Sequence, residues 1–231
     1  MTTTLITGAN KGLGFETARR LIELGHTVYL GARDAEKGAA AAESLGARFV
    51  QIDVTDDASV AGAAASILEE AGHLDVLVNN AGVSGSQADS ADVTADIVRE
   101  VYDVNVFGIV RVTHAMLPLL RESQSPVIVN VSSGLGSFDR VNDPAHIEST
   151  FATVAYASSK SAATMLAVQY AKAFPEMRVN AVDPGYTATD LNGNSGPQTV
   201  TEGTDAVVAM ATIGTDGPTG TFVARDGVMP W

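Results

Sequence analysis

A chain of 231 residues with 45% apolar and 18% charged residues can bury a sizeable core, and it excludes a disordered or fibrous architecture. Its 27 acidic against 14 basic residues leave a net charge of −13, which repels phosphate backbones and anionic bilayers and argues against nucleic-acid or membrane partners. The absence of cysteine removes disulfides, thiolate catalysis and thiolate metal sites, and the four histidines, His26, His73, His114 and His146, lack ligand spacing.

In chain order, the pattern predicts a strand at 3–7, a helix near 12–24, a strand at 27–32, a helix at 35–45, a strand at 48–52 and a helix at 56–71. It continues with a strand at 74–79, a long helix at 95–121, a strand at 126–132, a helix at 154–174, a strand at 177–182, a helix at 202–212 and a strand at 220–224. The strands are short apolar runs bounded by turn residues, and the helices carry apolar residues at three- and four-residue intervals. Such alternation predicts one α/β domain over 1–231, a doubly wound parallel sheet of seven strands with helices on both faces. Two loops, 134–153 and 185–201, are long enough to be functional in a compact domain. The first strand starts too early to leave room for a signal peptide, and no apolar run approaches membrane-spanning length, so the expected location is the cytoplasm.

The first strand runs into Thr7-Gly8-Ala9-Asn10-Lys11-Gly12-Leu13-Gly14, which opens a helix. Glycines permit the tight turn and let a pyrophosphate approach the backbone at the positive end of the helix dipole. A turn serving helix packing alone is the alternative; the order strand, turn, helix at the head of an alternating chain favours a dinucleotide. The second strand ends at Gly31-Ala32-Arg33-Asp34. Asp34 reads either as a ribose ligand, which would select NAD, or as the N-cap of the next helix. The intervening Arg33 favours the cap and offers its charge to a 2′-phosphate, with Lys11 as a second cation. Asn79-Asn80-Ala81-Gly82 and Ser132-Ser133-Gly134 follow the fourth and fifth strands, at the carboxyl ends where an open parallel sheet binds ligands; turn chemistry alone is the other reading.

Tyr156-Ala-Ser-Ser-Lys160 puts a phenol and an ammonium on one helix face. Moving a tyrosine from its usual value to near neutrality takes about 4 kcal/mol of selective phenolate stabilisation. An ammonium about 5 Å away supplies about 3 kcal/mol at an effective dielectric of 20. The pair is therefore a candidate proton donor to a carbonyl oxygen, although an ordinary amphipathic surface has the same spacing.

Taken in order, Thr7-Gly8-x-x-x-Gly12-x-Gly14, Asp53, Asn79-Asn80-Ala81-Gly82, Asn105, Ser133, Tyr156-x-x-x-Lys160 and Pro184-Gly185 followed by Thr189 resemble the short-chain dehydrogenase/reductase family over essentially the whole chain. The T-G-A-N-K-G-L-G turn, the G-A-R-D strand end and Trp231 are most similar to its carbonyl-reductase branch.

The resemblance implies a Rossmann-like fold, NADPH/NADP+ as cofactor and a small-molecule carbonyl substrate. By it, Tyr156 is the acid/base, Ser133 binds the substrate oxygen, Lys160 holds the nicotinamide ribose and lowers the tyrosine pKa, and Asn105 positions a water on the proton relay. Gly8, Asn10, Lys11, Gly12, Leu13, Gly14 and Arg33 would bind the cofactor, as would Asp53 and Val54 at the adenine and Asn80, Ala81 and Gly82 along its length. Pro184, Gly185, Thr187 and Thr189 would face the nicotinamide. Asn105 and Asp53 read equally as caps of backbone groups, and Ser132 competes with Ser133 for the site.

Ser133 and Tyr156 are 23 positions apart, longer than in most of the family, which marks an insertion with a substrate lid or an interface blocker as its expected role. Phe138, Phe151, Tyr186 and Leu191 are expected as apolar pocket walls. His146, a lone loop histidine, reads as solvated and not catalytic. A monomer is favoured over a homo-oligomer. The leading expectation is reduction of a small hydrophobic or aromatic aldehyde or ketone by NADPH. An alcohol dehydrogenase working oxidatively and a non-catalytic NADP(H) sensor are the alternatives, the latter having no need of an intact Ser133, Tyr156 and Lys160.

Overall fold

The computed structural model describes residues 1–86 and 89–231. Its strands are β1 (Thr3–Ile6), β2 (Thr27–Ala32), β3 (Arg48–Gln51), β4 (Val76–Asn79), β5 (Val127–Val131), β6 (Arg178–Val182), β7 (Phe222–Ala224) and β8 (Gly227–Val228), in the order β3-β2-β1-β4-β5-β6-β7-β8. All pairings are parallel except β7 with β8. The helices are α1 (Gly12–Glu23), α2 (Ala35–Leu45), α3 (Asp57–Ala71), α4 (Ala95–Tyr102), α5 (Gly108–Arg121), α6 (Phe138–Asn142), α7 (Val154–Ala173), α8 (Val200–Gly203) and α9 (Asp205–Ala211).

Central strands are apolar at successive positions because both faces are covered. Leu5, Leu77, Ile128 and Val179 point into one core with Val60, Ile67, Val112, Met116 and Ala167 of α3, α5 and α7. Ile6, Val76, Val78, Val127 and Val129 point into the other with Ala18, Leu21, Ala42, Val207 and Met210 of α1, α2 and α9. Strand order reverses between β1 and β4, and the register Ile6 to Val78 brings the carboxyl ends of both strands together. That reversal opens the crevice in which such sheets bind ligands.

Four expectations need correction. The sheet has eight strands, not seven: after Ala224 the two-residue turn Arg225-Asp226 folds Gly227–Val228 back onto β7, a pairing too short to leave a sequence period. The predicted helix at 202–212 is two helices meeting at Thr204, whose hydroxyl donates to the Thr201 carbonyl at 2.9 Å. The loop 134–153 contains α6 and two 3-10 turns, Gly134–Gly136 and Ile147–Thr150. Finally, the helix expected at 95–121 is present as Ala95–Arg121, but its 27 residues are long and apolar enough by composition to cross a bilayer, contrary to the expectation that no run approaches that length. Its buried residues Val101, Val112, Met116, Leu119 and Leu120 make it a core helix. Within it Asp103–Phe107 forms one π-helical turn, a feature often found where a helix serves a site.

Candidate active site

The glycine-rich turn leaves β1 at Thr7 and enters α1 at Gly12. Gly8 and Gly12 adopt φ of +64° and +57°, a left-handed backbone that favours glycine. At Gly14 a Cβ would stand 2.5 Å from Asn80 Nδ2 and 2.7 Å from the Gly8 oxygen, so only glycine allows α1 to start this close to the turn. Asn80 Nδ2 donates to the carbonyls of Thr7 (2.8 Å) and Gly8 (3.1 Å), and the Thr7 hydroxyl accepts from the backbone N–H groups of Asn80 and Ala81, each at 3.0 Å. These bonds lock the ends of β1 and β4 together. Lys11, the N-cap of α1, makes no side-chain cap bond, which leaves the first N–H groups of the helix available as anion donors. An open helix start beside a glycine cradle fits a dinucleotide pyrophosphate, with Gly8, Asn10, Gly12, Leu13 and Gly14 around it and Ala81 packed on Gly8.

Asp34 is the N-cap of α2: its carboxylate accepts from Lys37 N at 3.0 Å and pairs with Lys37 Nζ at 3.2 Å. Those two contacts hold its pKa below the ordinary range. Arg33 is exposed beside it at the end of β2. Lys11 makes an ion pair across the crevice with Asp190, 2.8 Å apart. The segment after β6 thus arches over the glycine turn, and Thr189 lies against Gly12. Asp53 accepts from the Thr55 N–H (2.9 Å) and hydroxyl (2.7 Å), forming an Asx turn that lowers its pKa. Val54 is buried in the core and packs its side chain on Gly108.

Helix α7 delivers the Tyr156 and Lys160 pair. Lys160 is 5% exposed; its Nζ donates to the Val131 carbonyl at 2.9 Å and lies 5.5 Å from the centre of the Tyr156 ring. The Ser133 hydroxyl accepts from Leu135 N at 3.2 Å and stands beside the Tyr156 phenol, whose pKa it lowers. Ser132 instead turns inward, donating to the Lys160 carbonyl at 2.9 Å and meeting Thr164 Oγ1 at 2.6 Å, so it pins β5 to α7. Asn105, in the π turn, accepts from Val83 N and donates to Val83 O, both at 2.9 Å, and donates to Ser159 Oγ at 3.0 Å. This clamp sets the Gly82-Val83 backbone beside Lys160.

The expected depression of the tyrosine pKa is not found. Burial pushes the Tyr156 phenol up to about 12, with the bond from Ser133 opposing and the Asp183 charge adding to the rise. Burial lowers Lys160 to about 8, Asp183 opposing. The reason is geometric: the ammonium faces a carbonyl at the end of β5, and the cost of enclosing the phenolate exceeds any help from its charge.

Tyr156 and Ser133 open onto a cavity of about 840 Å³ that Leu13, Pro184, Gly185, Thr187 and Thr189 also line. Phe151, Tyr186 and Leu191 are in its wall, and the rings of Phe151 and Tyr186 meet edge to face at 5.9 Å. Phe138 is a correction: it is 69% exposed on α6 and lies in a shallow surface groove with Trp231, away from the cavity. The Trp231 carbonyl accepts from Asp139 N at 2.9 Å, and the Ser137 hydroxyl donates to Pro230, so this end of the insertion is tied to the C-terminal residues. His146 is bonded to Arg140 at 2.7 Å and is not among the residues lining the cavity. The Thr187 hydroxyl donates to the Pro184 carbonyl at 2.9 Å and braces the turn.

Two residues of the site escaped the sequence reading. Asp183, at the end of β6, is 7% exposed, lines the cavity and accepts from the N–H groups of Gly185 (3.0 Å) and Gly134. Burial raises its pKa. An acid one residue before Pro184-Gly185 at a strand's carboxyl end was the available signal. Glu148, from the insertion, turns its carboxylate onto Gly134, where a Cβ would stand 2.5 Å from Oε1; nothing in a lone loop acid marks that direction.

A family model described as short chain dehydrogenase matches residues 2–199. A (+)-neomenthol dehydrogenase from Capsicum annuum is 30% identical, with 97% of this chain and 96% of that protein covered. A salutaridine reductase from Papaver bracteatum is 31% identical across 94% of this chain and 92% of that protein. Among solved structures, an NADPH-bound carbonyl reductase from chicken fatty liver has a TM-score of 0.88 at 27% identity, covering 100% of this chain and 99% of that one. An uncapped helix start on a glycine cradle, a phenol and a buried ammonium on one helix, and a match along nearly the full chain converge: this is an oxidoreductase of the short-chain dehydrogenase family, near its carbonyl-reductase branch, with the nicotinamide cofactor that the family binds.

Proposed function

We propose that the protein reduces a small hydrophobic or aromatic aldehyde or ketone to the alcohol, using NADPH, with Tyr156 as proton donor. The cofactor supplies the hydride to the carbonyl carbon. The chain's own residues govern the proton: Ser133 bonds both the phenol and the substrate oxygen, and Tyr156 protonates that oxygen as negative charge develops on it. Lys160 is fixed by Val131 beside Tyr156, where its charge favours the phenolate left behind and its remaining N–H groups reach a ribose. The clamp from Asn105 to Val83 and Ser159 keeps the relay in register.

The observation that carries this reading is geometric: Tyr156 and Ser133 open together onto a mainly apolar cavity, with the buried Lys160 ammonium 5.5 Å from the centre of the phenol ring and the glycine turn alongside. The same phenol serves reduction and, in reverse, alcohol oxidation; the apolar cavity and the likeness to named reductases support the reductive direction. The choice of NADPH is supported by the exposed Arg33 at the end of β2, by Asp34 being engaged as a cap, and by likeness to the carbonyl reductase with NADPH bound. With this goes a cytoplasmic protein acting on a small molecule, as a monomer, with no nucleic-acid or membrane partner. The test is a screen of NADPH consumption against aldehydes, ketones, diketones and quinones. Turnover of at least one apolar carbonyl is expected, and NADH supporting faster turnover than NADPH would refute the cofactor assignment.

A further inference from the structure

The cavity at Tyr156 is apolar in its walls and one-signed in its charge. Val93, Ile97, Leu135, Ile147, Val154 and Leu191 supply the hydrocarbon surface. The charged residues lining it are Asp89, Glu148 and Asp183, and no lysine, arginine or histidine lines it among the described residues. These carboxylates differ in availability. Asp183 is 7% exposed and its oxygens are engaged by the Gly134 and Gly185 N–H groups, so it contributes field more than contact. Glu148 is half-buried, packs its Oε1 on the Gly134 backbone one residue from Ser133, and has no ion-pair partner among the described residues. The acids do not gather into a metal site: no group of three or more His, Cys, Asp or Glu fit to hold a metal is found among the described residues. On the same wall Phe151 and Tyr186 stand edge to face at 5.9 Å, presenting aromatic surface that attracts a cation where water is thin.

A half-buried carboxylate with no ion-pair partner among the described residues, set in an apolar cavity against the backbone one residue from Ser133, is placed to pair with a cationic ligand. We propose that the substrate is a hydrophobic aldehyde or ketone bearing a protonated amine, and that Glu148 is the specificity residue that reads its charge, with the Phe151 and Tyr186 rings alongside. This inference rests on the carbonyl-reduction reading and narrows it. Carbonyl compounds carrying carboxylate or phosphate meet the Glu148 carboxylate in the same cavity and are disfavoured.

The experiment compares matched ketones of one carbon skeleton, one neutral and one carrying a dimethylammonium group, by kcat/KM with NADPH. The wild-type protein should prefer the ammonium ketone by about tenfold or more, as a charge-assisted contact in a partly desolvated site implies, and the preference should shrink as salt rises. In Glu148→Gln, which keeps size and hydrogen bonding, the ratio should fall by about tenfold. Equal kcat/KM for the two ketones in the wild type, or a ratio untouched by Glu148→Gln, overturns the proposal. A second arm measures calorimetric binding of the corresponding amino alcohol and its neutral analogue to the protein with NADP+. If neither ketone consumes NADPH, the carbonyl reading has failed. Charge recognition is then judged on this arm alone: tighter binding of the amine, lost in Glu148→Gln, upholds it, and equal binding of both alcohols overturns it.

Discussion

The Lys160 ammonium donates to the Val131 carbonyl at 2.9 Å and stands 5.5 Å from the centre of the Tyr156 ring. It is therefore held by the end of β5 independently of the phenol it serves, and enclosing it has a measurable cost. In the folded chain its pKa is about 8, against 10.5 for the ordinary side chain. Between those values the folded state binds fewer protons than the unfolded state, so stability rises with pH. The benefit is complete above the unfolded value and is lost as pH falls through about 8, a range worth on the order of 3 kcal/mol. Tyr156 acts in the opposite sense at higher pH: keeping its proton to about 12, it makes stability fall once unfolded tyrosine ionises above 10. Denaturant midpoints of the wild type should rise from pH 8 towards 10 relative to Lys160→Met, which lacks this titration. Parallel curves for the two proteins would contradict the assigned burial.

Asp183 carries a prediction of its own. Its carboxylate raises both the Tyr156 and the Lys160 pKa, and it joins the Gly134 and Gly185 turns. Glu148 and Arg140 act on it from the insertion. Asp183→Asn keeps an acceptor and removes the charge, so the alkaline limb of the kcat profile should move to lower pH. An unmoved limb would reduce Asp183 to a brace for the two turns.

For the cofactor, Arg33→Ala should erase most of a preference for NADPH over NADH of about tenfold or more, since a charge-assisted contact to phosphate is being removed. Lys11 is committed to Asp190 at 2.8 Å, so Lys11→Ala should cost less than Arg33→Ala. Asp190→Asn should strengthen NADPH binding about two- to fivefold by freeing Lys11 from an exposed pair. Titration by fluorescence of bound NADPH distinguishes these; equal affinity for the two cofactors in the wild type would return Asp34 to consideration as a ribose ligand.

Gly14→Ala tests the cradle. A Cβ there would sit 2.5 Å from Asn80 Nδ2, the group that ties β4 to the turn, so the variant should lose about 2 kcal/mol or more of stability by overpacking, and NADPH affinity with it. Thermal unfolding with and without NADPH reads both losses, and a variant with unchanged melting and binding would show that α1 can withdraw.

Much of this was legible in the sequence because the signals are local. Central strands buried on both faces leave apolar runs, and the i, i+4 spacing of Tyr156 and Lys160 survives in any α7. The Thr7 to Gly14 turn is short enough for its backbone demands to be written in its glycines. What could not be read depends on contacts far apart in the chain. Strand β8 exists only because β7 presents an edge to it. Phe138 has no periodic neighbours to fix its direction, and the tie of α6 to Pro230 and Trp231 turns it outward. The tyrosine pKa came out on the wrong side because spacing reports the nearby ammonium and says nothing of the desolvation that surrounding elements impose on the phenol.

Hydride transfer in a single turnover, from NADPH bound at saturation to an apolar ketone, tests the assignment of Tyr156 most directly, since product release and cofactor exchange do not enter. Tyr156→Phe should slow that step by about 10² to 10⁴, the range for loss of a general acid, while the Kd for NADPH stays within about twofold of the wild type. A Tyr156→Phe protein that transfers hydride within about tenfold of the wild-type rate would contradict the account and place the proton donor elsewhere.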